Sequence, residues 1–274
     1  MNKLETVIFI SGAAHSGSTL LGVMLGSHNE IFYGGELAKT QLMSDVTKPQ
    51  FKKVCKFCGE ECRIWSKFLQ ENISVYEFLN SVSEKKIIVD SSKKIEWIQQ
   101  QTLYIQQNNK KALLILLLRD GREVVNSRKR KGNKNFTEYI WDWKQQMEKS
   151  LTLFENFPFP KMKISYKNLC QNTETVLKEI CNLLNTDFQD NMLQFYENEQ
   201  HILGGNSGVQ FLIAQQQNKT IYSTLNEPNS TYYQNHKPEI VYDERWKTEL
   251  SKSELLEFET IAGEFNKKLQ NPNF

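Results

Sequence analysis

Between Phe9 and Leu21 the chain reads FISGAAHSGSTLL. A short apolar run meets a turn punctuated by Gly12 and Gly17, and an amphipathic helix opens at Ser18 and Thr19. That order points backbone N–H groups at one spot, where the positive end of a helix dipole favours an anion. The spacing Gly12-x4-Gly17-Ser18-Thr19 overlays the phosphate-cradling pattern G-x4-G-K-[ST], with Ser18 in the lysine position. A cradle without its lysine suits a phosphate-bearing ligand whose terminal group carries less charge. A second anion site is carried by Leu116-Leu117-Leu118-Arg119-Asp120-Gly121-Arg122, where Arg119 leaves an apolar run and Ser127 falls within the helix that follows. A guanidinium forks onto two phosphate oxygens, and a hydroxyl can add a third bond. Arg119 has a competing use, as partner of a neighbouring carboxylate.

Strands must deliver these groups. Apolar, β-branched runs at Thr6–Ser11, Lys86–Asp90, Ala112–Leu118 and Met162–Ser165 alternate with helical patterns at Ser18–Ser27, Ile95–Gln107, Arg122–Lys129 and Thr173–Leu184. The alternation predicts an α/β chain, a P-loop-like three-layer fold with a mainly parallel sheet between helices. Ligands of such sheets collect beyond the carboxyl ends of the strands, which gathers residues 12–19, 91–93, 119–127 and Tyr166 at one edge. The whole chain, 1–274, reads as a single domain. Residues 45–68 read as an inserted loop or lid, and the polar, turn-rich stretch 211–240 as a loop on the acceptor side. Residues Ser251–Leu269 read as a helix capped by Ser251 or Ser253.

The two loops resemble the nucleotide-binding segments of sulfotransferases, which move a sulfuryl group from 3′-phosphoadenosine 5′-phosphosulfate (PAPS) to an alcohol or amine and release 3′,5′-ADP. His15-Ser16-Gly17-Ser18-Thr19 is similar to the family's 5′-phosphosulfate loop, [K/R]-S-G-[T/S]-T. Arg119 to Ser127 is similar to its 3′-phosphate site, R-[D/N]-P-R-x4-S, with Gly121 in place of the proline. The resemblance implies a cofactor site built from Ala14, His15, Ser16, Gly17, Ser18, Thr19, Leu20, Arg119 and Ser127. Tyr166, in a segment that resembles the family's Y-E-D-L, would line the adenine pocket. Gly205 and Asn206, in His201-Ile202-Leu203-Gly204-Gly205-Asn206, would close over the nucleotide. The basic run Arg128-Lys129-Arg130-Lys131 could supply a charge that many members carry after that turn.

Gly34-Gly35-Glu36-Leu37 resembles the segment that carries the general base in tyrosyl-protein, bacterial carbohydrate and natural-product members, so Glu36 is the expected base. Its competing role is to cap a helix beginning near Leu37. Asp90-Ser91-Ser92-Lys93 resembles a bacterial D-S-S-K segment, with Lys93 placed to stabilise the departing phosphate and Lys94 the lesser choice. His15 could donate to a phosphosulfate oxygen, as imidazolium if protonated.

A net charge of only +2 argues against general nucleic-acid binding, and no apolar run reaches membrane-spanning length. The start Met1-Asn2-Lys3-Leu4-Glu5 lacks a signal-peptide pattern, which predicts a cytoplasmic protein. The expected partner is a small-molecule acceptor such as a secondary metabolite or sugar, with no nucleic acid and no membrane, and Trp65, Glu227, Tyr232 and Tyr233 as candidates for its pocket. Cys55, Cys58 and Cys62 form C-x2-C-x3-C, three local ligands where structural zinc uses four, and His28 is far off in sequence. The trio therefore reads as thiol packing around Trp65, or a local disulfide in an oxidising setting, and no metal is assigned to the site or required by the reaction. A nucleoside-triphosphate kinase or NTPase is the first rival reading and would need an acidic magnesium ligand at a strand end. A non-catalytic nucleotide-binding regulator is the second, and would need no Glu36.

Overall fold

A computed structural model describes residues 3–70, 73–219 and 239–271. Strand β1 (Thr6–Ser11) leads through the glycine turn into helix α1 (Ser18–Gly26) and back to a short β2 (Ile31–Tyr33). Helix α2 (Val75–Ser83) precedes β3 (Ile87–Asp90), α3 (Ile95–Gln107) precedes β4 (Lys111–Leu118), and α4 (Gly121–Lys129) with α5 (Phe136–Asn156) precede β5 (Lys161–Ser165). Helices α6 (Tyr166–Gln171), α7 (Thr173–Leu184) and α8 (Ser207–Gln216) follow. The five strands are all parallel, in the order β2-β3-β1-β4-β5. Thr6 of β1 lies between Ile87 and Lys111. The chain thus leaves β3 on one side of β1 and re-enters as β4 on the other. That reversal opens a crevice at the carboxyl ends, above β1 and its neighbours.

Strand β4 explains its own composition. From Ala112 to Leu118 every residue is buried, as expected where helices cover both faces of a parallel sheet. Leu116 and Leu118 face a cluster around Trp143 and Phe258, while Leu117 between them faces the larger core with Phe9 and Ile164. The predicted C-terminal helix is present as Lys252–Phe258 and Glu264–Gln270, joined by a π turn at Glu259–Gly263 and opened by a capping box of Ser251 and Glu254. The stretch expected as a loop from residue 211 is helical to Gln216, where α8 ends. Residues 220–238, with Glu227, Tyr232 and Tyr233, lie outside the described residues. Among the described residues no helix is long and apolar enough to cross a membrane.

Gly121 begins α4 where the family pattern has proline, and the packing gives the reason. Its N–H donates to Asn266 Oδ1 at 2.8 Å, a bond that proline cannot make. A Cβ there would lie 2.6 Å from Trp143 and 2.7 Å from Phe258. Gly121→Ala should therefore cost about 1–3 kcal/mol through overpacking, read as a lower urea midpoint at unchanged slope.

Candidate functional site

A cavity of about 360 Å3 opens at the carboxyl ends of the strands. Ala14, His15, Gly17, Ser18, Thr19 and Leu20 reach it from the turn after β1, Glu36 from the turn after β2 and Lys93 from that after β3. Arg119 and Ser127 come from the β4–α4 unit, Tyr166 from the end of β5, and Gly205 and Asn206 from the start of α8. Of the nucleotide-site and catalytic candidates singled out from the sequence, the cavity gathers all but one. The Ser16 side chain is buried outside the cavity lining, its hydroxyl unpartnered among the described residues, while its amide donates to Ala13 O at 3.2 Å.

Three sequence segments meet in one stack. Gly17 caps α1 with φ 99°, and a Cβ on it would lie 2.4 Å from the Tyr166 ring. Only glycine fits there. Arg119 stacks on the same ring, its Cζ 4.2 Å from the centroid. Arg119 Nε donates to Glu123 Oε2 at 2.7 Å and Nη1 to His15 O at 2.8 Å. The carboxylate pairing considered as an alternative is thus real but not exclusive, since Arg119 also lines the cavity and Nη2 has no partner among the described residues. Burial raises the Glu123 carboxyl above its ordinary range, opposed by Arg119 and by the Tyr242 hydroxyl, which donates to it.

His15 sits at φ 71° with Nδ1 2.9 Å from Ser127 Oγ. Burial, reinforced by Lys131, Arg128, Arg119 and Lys93, lowers its pKa to about 3. The ring is neutral at pH 7, the second of the two forms that the sequence left open. It can offer a hydrogen bond, not a charge.

Glu36 stands at the N-terminus of a 3-10 turn, Leu37–Leu42, yet its side chain makes no capping bond. It pairs instead with Lys39 at 3.0 Å and faces Lys93 at 3.6 Å. Burial opposes its ionisation, but the two lysines outweigh burial and hold it below the usual glutamate value. The group is a carboxylate at neutral pH. Its neighbour Lys93 also donates to Ser91 O at 2.9 Å, whereas Lys94 is exposed and turns to Gln41 at 3.3 Å. Of the two lysines, Lys93 faces the cavity.

Asp90, the acidic group at a strand end, is fully engaged. One oxygen accepts from the Leu37 and Ser92 amides and the Ser92 hydroxyl, the other from Tyr76 and Trp97 at 2.8 Å. It ties the Glu36 turn to the Lys93 turn and is not presented as a magnesium ligand, contrary to the NTPase reading. Gly204, at φ 72°, gives Glu36 its room: a Cβ there would lie 2.7 Å from Glu36 Oε2. Asn206 donates its amide to Thr19 Oγ1 at 2.8 Å and caps α8 through its side chain. The N-termini of α1 and α8 therefore converge on one cavity, doubling the dipolar attraction for an anion.

Trp65 does not belong to this cavity. It is buried, donating from Nε1 to His201 O at 2.8 Å, which corrects its place among the acceptor-pocket candidates. Arg130 and Lys131 of the basic run do line the cavity, as do Asp243 and Arg245. Nothing in the sequence pointed to the last two, because no motif surrounds them.

The sequence matches a model described as the sulfotransferase family over residues 7–190. A Caenorhabditis briggsae protein named as a candidate protein-tyrosine sulfotransferase is 23% identical over 204 residues, 72% of this chain and 71% of that one. Among solved structures, the sulfotransferase domain from the curacin biosynthetic pathway is similar with TM-score 0.62 and 21% identity, covering 96% of this chain and 98% of that one. The sulfotransferase domain of the Synechococcus PCC 7002 olefin synthase gives TM-score 0.58 and 18% identity, covering 97% and 96%. Mouse sulfotransferase SULT7A1 complexed with PAP gives TM-score 0.51 and 11% identity, covering 100% and 86%.

Proposed function

The chain belongs to the sulfotransferase family and is an enzyme of sulfuryl transfer, and on that premise we propose that its donor is PAPS and its acceptor a hydroxyl- or amine-bearing small molecule. The observation that carries this reading is the meeting, in one cavity, of the lysine-free phosphate cradle, the Arg119–Ser127 pair and the Glu36–Lys93 pair. The mouse structure named as a complex with PAP shares this fold and supports the choice of nucleotide.

In this reading the turn amides, Ser18 and Thr19 hold the 5′-phosphosulfate, Arg119 and Ser127 grip the 3′-phosphate, and Tyr166 borders the adenine. Arg130, Lys131 and Arg245 add cationic groups around the same cavity. Glu36 accepts the proton of the acceptor hydroxyl as its oxygen bonds to sulfur. The sulfur–oxygen bond to the 5′-phosphate breaks, and 3′,5′-ADP leaves with the electron pair. Lys93 offsets the charge growing on the departing phosphate oxygen, with neutral His15 adding a hydrogen bond. Fixed dipoles and positioning supply most of the acceleration, and no step calls for a metal.

Titration calorimetry tests the donor. The native protein should bind 3′,5′-ADP about tens- to hundredfold more tightly than 5′-AMP, the value of a charge-assisted bidentate contact. Equal affinity for the two, or tighter binding of ATP with magnesium, would overturn the assignment. Sulfuryl transfer from PAPS to a hydroxyl-bearing acceptor separates the enzyme from a regulator that only binds nucleotide.

A further inference from the structure

We propose that Cys55, Cys58, Cys62 and His201 bind a structural zinc ion. The sequence offers three neighbouring donors and no fourth nearby; the fold supplies it from 139 residues beyond Cys62. One ligand atom from each residue lies within 4.8 Å of all the others. His201 Nδ1 is 3.4 Å from Cys58 Sγ and 3.4 Å from Cys62 Sγ. A tetrahedral zinc with Zn–S near 2.3 Å and Zn–N near 2.0–2.1 Å sets its sulfur and nitrogen ligands about 3.6 Å apart. The two S···N distances are close to that spacing, and no pair of the four atoms exceeds 4.8 Å. A single ring nitrogen cannot serve two thiols equally well as a hydrogen-bond partner, whereas one ion at the centre serves all four atoms.

The surroundings fit the same assignment. Gly59 follows the Cys55-x2-Cys58 pair at φ 67° and donates its N–H to Cys55 O at 3.1 Å, a tight turn that brings the two sulfurs together. The backbone N–H of Cys58 reaches Cys55 Sγ, and those of Ile64 and Trp65 reach Cys62 Sγ. Such donors favour thiolates over thiols. On the far side of the imidazole, Nε2 lies 3.3 Å from Glu199 Oε1, the carboxylate partner that leaves Nδ1 free to ligate. Arg63 Nε stands 3.4 Å from the same nitrogen while its Nη2 pairs with Glu199 at 2.8 Å, so a cation lies beside a site that would carry net negative charge. Cys55, Cys62 and His201 are buried, and none of the five cysteines is in a disulfide. Three sulfurs and one nitrogen suit zinc rather than magnesium or calcium, and four protein ligands leave no open position for catalysis.

The ion would clamp the segment that builds the acceptor side of the cavity. Two residues beyond His201, Leu203 accepts the Glu36 amide at 2.6 Å and donates to Gly34 O at 2.9 Å. Lys56, between the first two cysteines, donates its amide to Ile202 O at 3.0 Å.

Metal analysis of protein purified without chelator should find about one zinc per chain. Cys58→Ser, at the most exposed ligand, and His201→Ala should each lose it. Because either variant could fail to fold, the native chain is also stripped with chelator and refilled with Co2+. Thiolate-to-cobalt charge transfer and strong visible bands of tetrahedral cobalt are expected. Hydrogen exchange of the stripped protein should quicken at the Glu36 and Leu203 amides while β1 and β4 stay protected. Absence of zinc together with absence of the cobalt bands would overturn the proposal. So would a Cys58–Cys62 disulfide in the native protein, seen as a mass two hydrogens short, or iron in place of zinc.

Discussion

Glu36→Gln enzyme will bind 3′,5′-ADP as the native protein does and turn over about 10²–10⁴-fold more slowly, the range expected when a general base is removed. The substitution keeps the shape and the hydrogen-bonding ability of the side chain. The Glu36 amide bond to Leu203 O belongs to the backbone and survives. Because Lys93 and Lys39 hold the carboxyl below its ordinary value despite burial, the acid limb of kcat should lie below the usual glutamate range. Lys39→Met removes one of those lowering charges and should move that limb to higher pH. Lys93→Ala should also slow turnover, but through the leaving phosphate. An acceptor of intrinsically low pKa should thus rescue Glu36→Gln in part and leave Lys93→Ala unrescued. Near-native turnover by Glu36→Gln would place the base elsewhere.

Arg119→Ala should erase most of the preference for 3′,5′-ADP over 5′-AMP, a loss of about tens- to hundredfold in affinity for the first and little for the second. The same change strips a buried carboxylate of its cationic partner and leaves it the Tyr242 hydroxyl, since Glu123 is 3% exposed and paired with Arg119 at 2.7 Å. Breaking such a pair costs about 3–5 kcal/mol. The two effects separate in a double variant. Arg119→Ala with Glu123→Gln should recover much of the melting temperature, because no unpaired charge remains, and recover none of the nucleotide preference. If the double variant regains both, Arg119 acts on the nucleotide only through the fold.

What could be read from the chain alone follows from distance along it. The Gly12–Thr19 turn, the Arg119–Ser127 unit and the Lys93 turn each sit at the exit of an apolar run, so strand, turn and candidate residues are written in one short stretch of chain. Strand β2 leaves no mark in the sequence because three residues are too few for a periodic signal. Helix α5 is hard to read from the sequence because Lys144, Gln145 and Gln146 dilute its apolar stripe, although Tyr139, Ile140, Trp143 and Met147 are buried along one face. Glu36 as a non-capping carboxylate depended on Lys39 and Lys93, of which only the first is local. Asp243 and Arg245 join the cavity without any pattern that predicts it. His201 stands out in the sequence only for the turn it opens, and its meeting with the three cysteines is a property of the fold.

The backbone clamp between Leu203 and the Gly34–Glu36 turn also sets an order of assembly. Once the chain has been synthesised as far as Tyr166, all five strands, the Gly12–Thr19 turn and the Arg119–Ser127 unit exist as polypeptide. The residues that clamp the Glu36 turn have not yet been made. Closing a contact between distant parts of the chain costs entropy that local turns do not incur, so it comes late even in a complete chain. Gly205 and Asn206 follow Leu203 in the chain and line the same cavity, so that wall and the Glu36 turn are fixed together. The cavity is therefore finished by the part of the chain that follows β5, and its halves cannot mature independently.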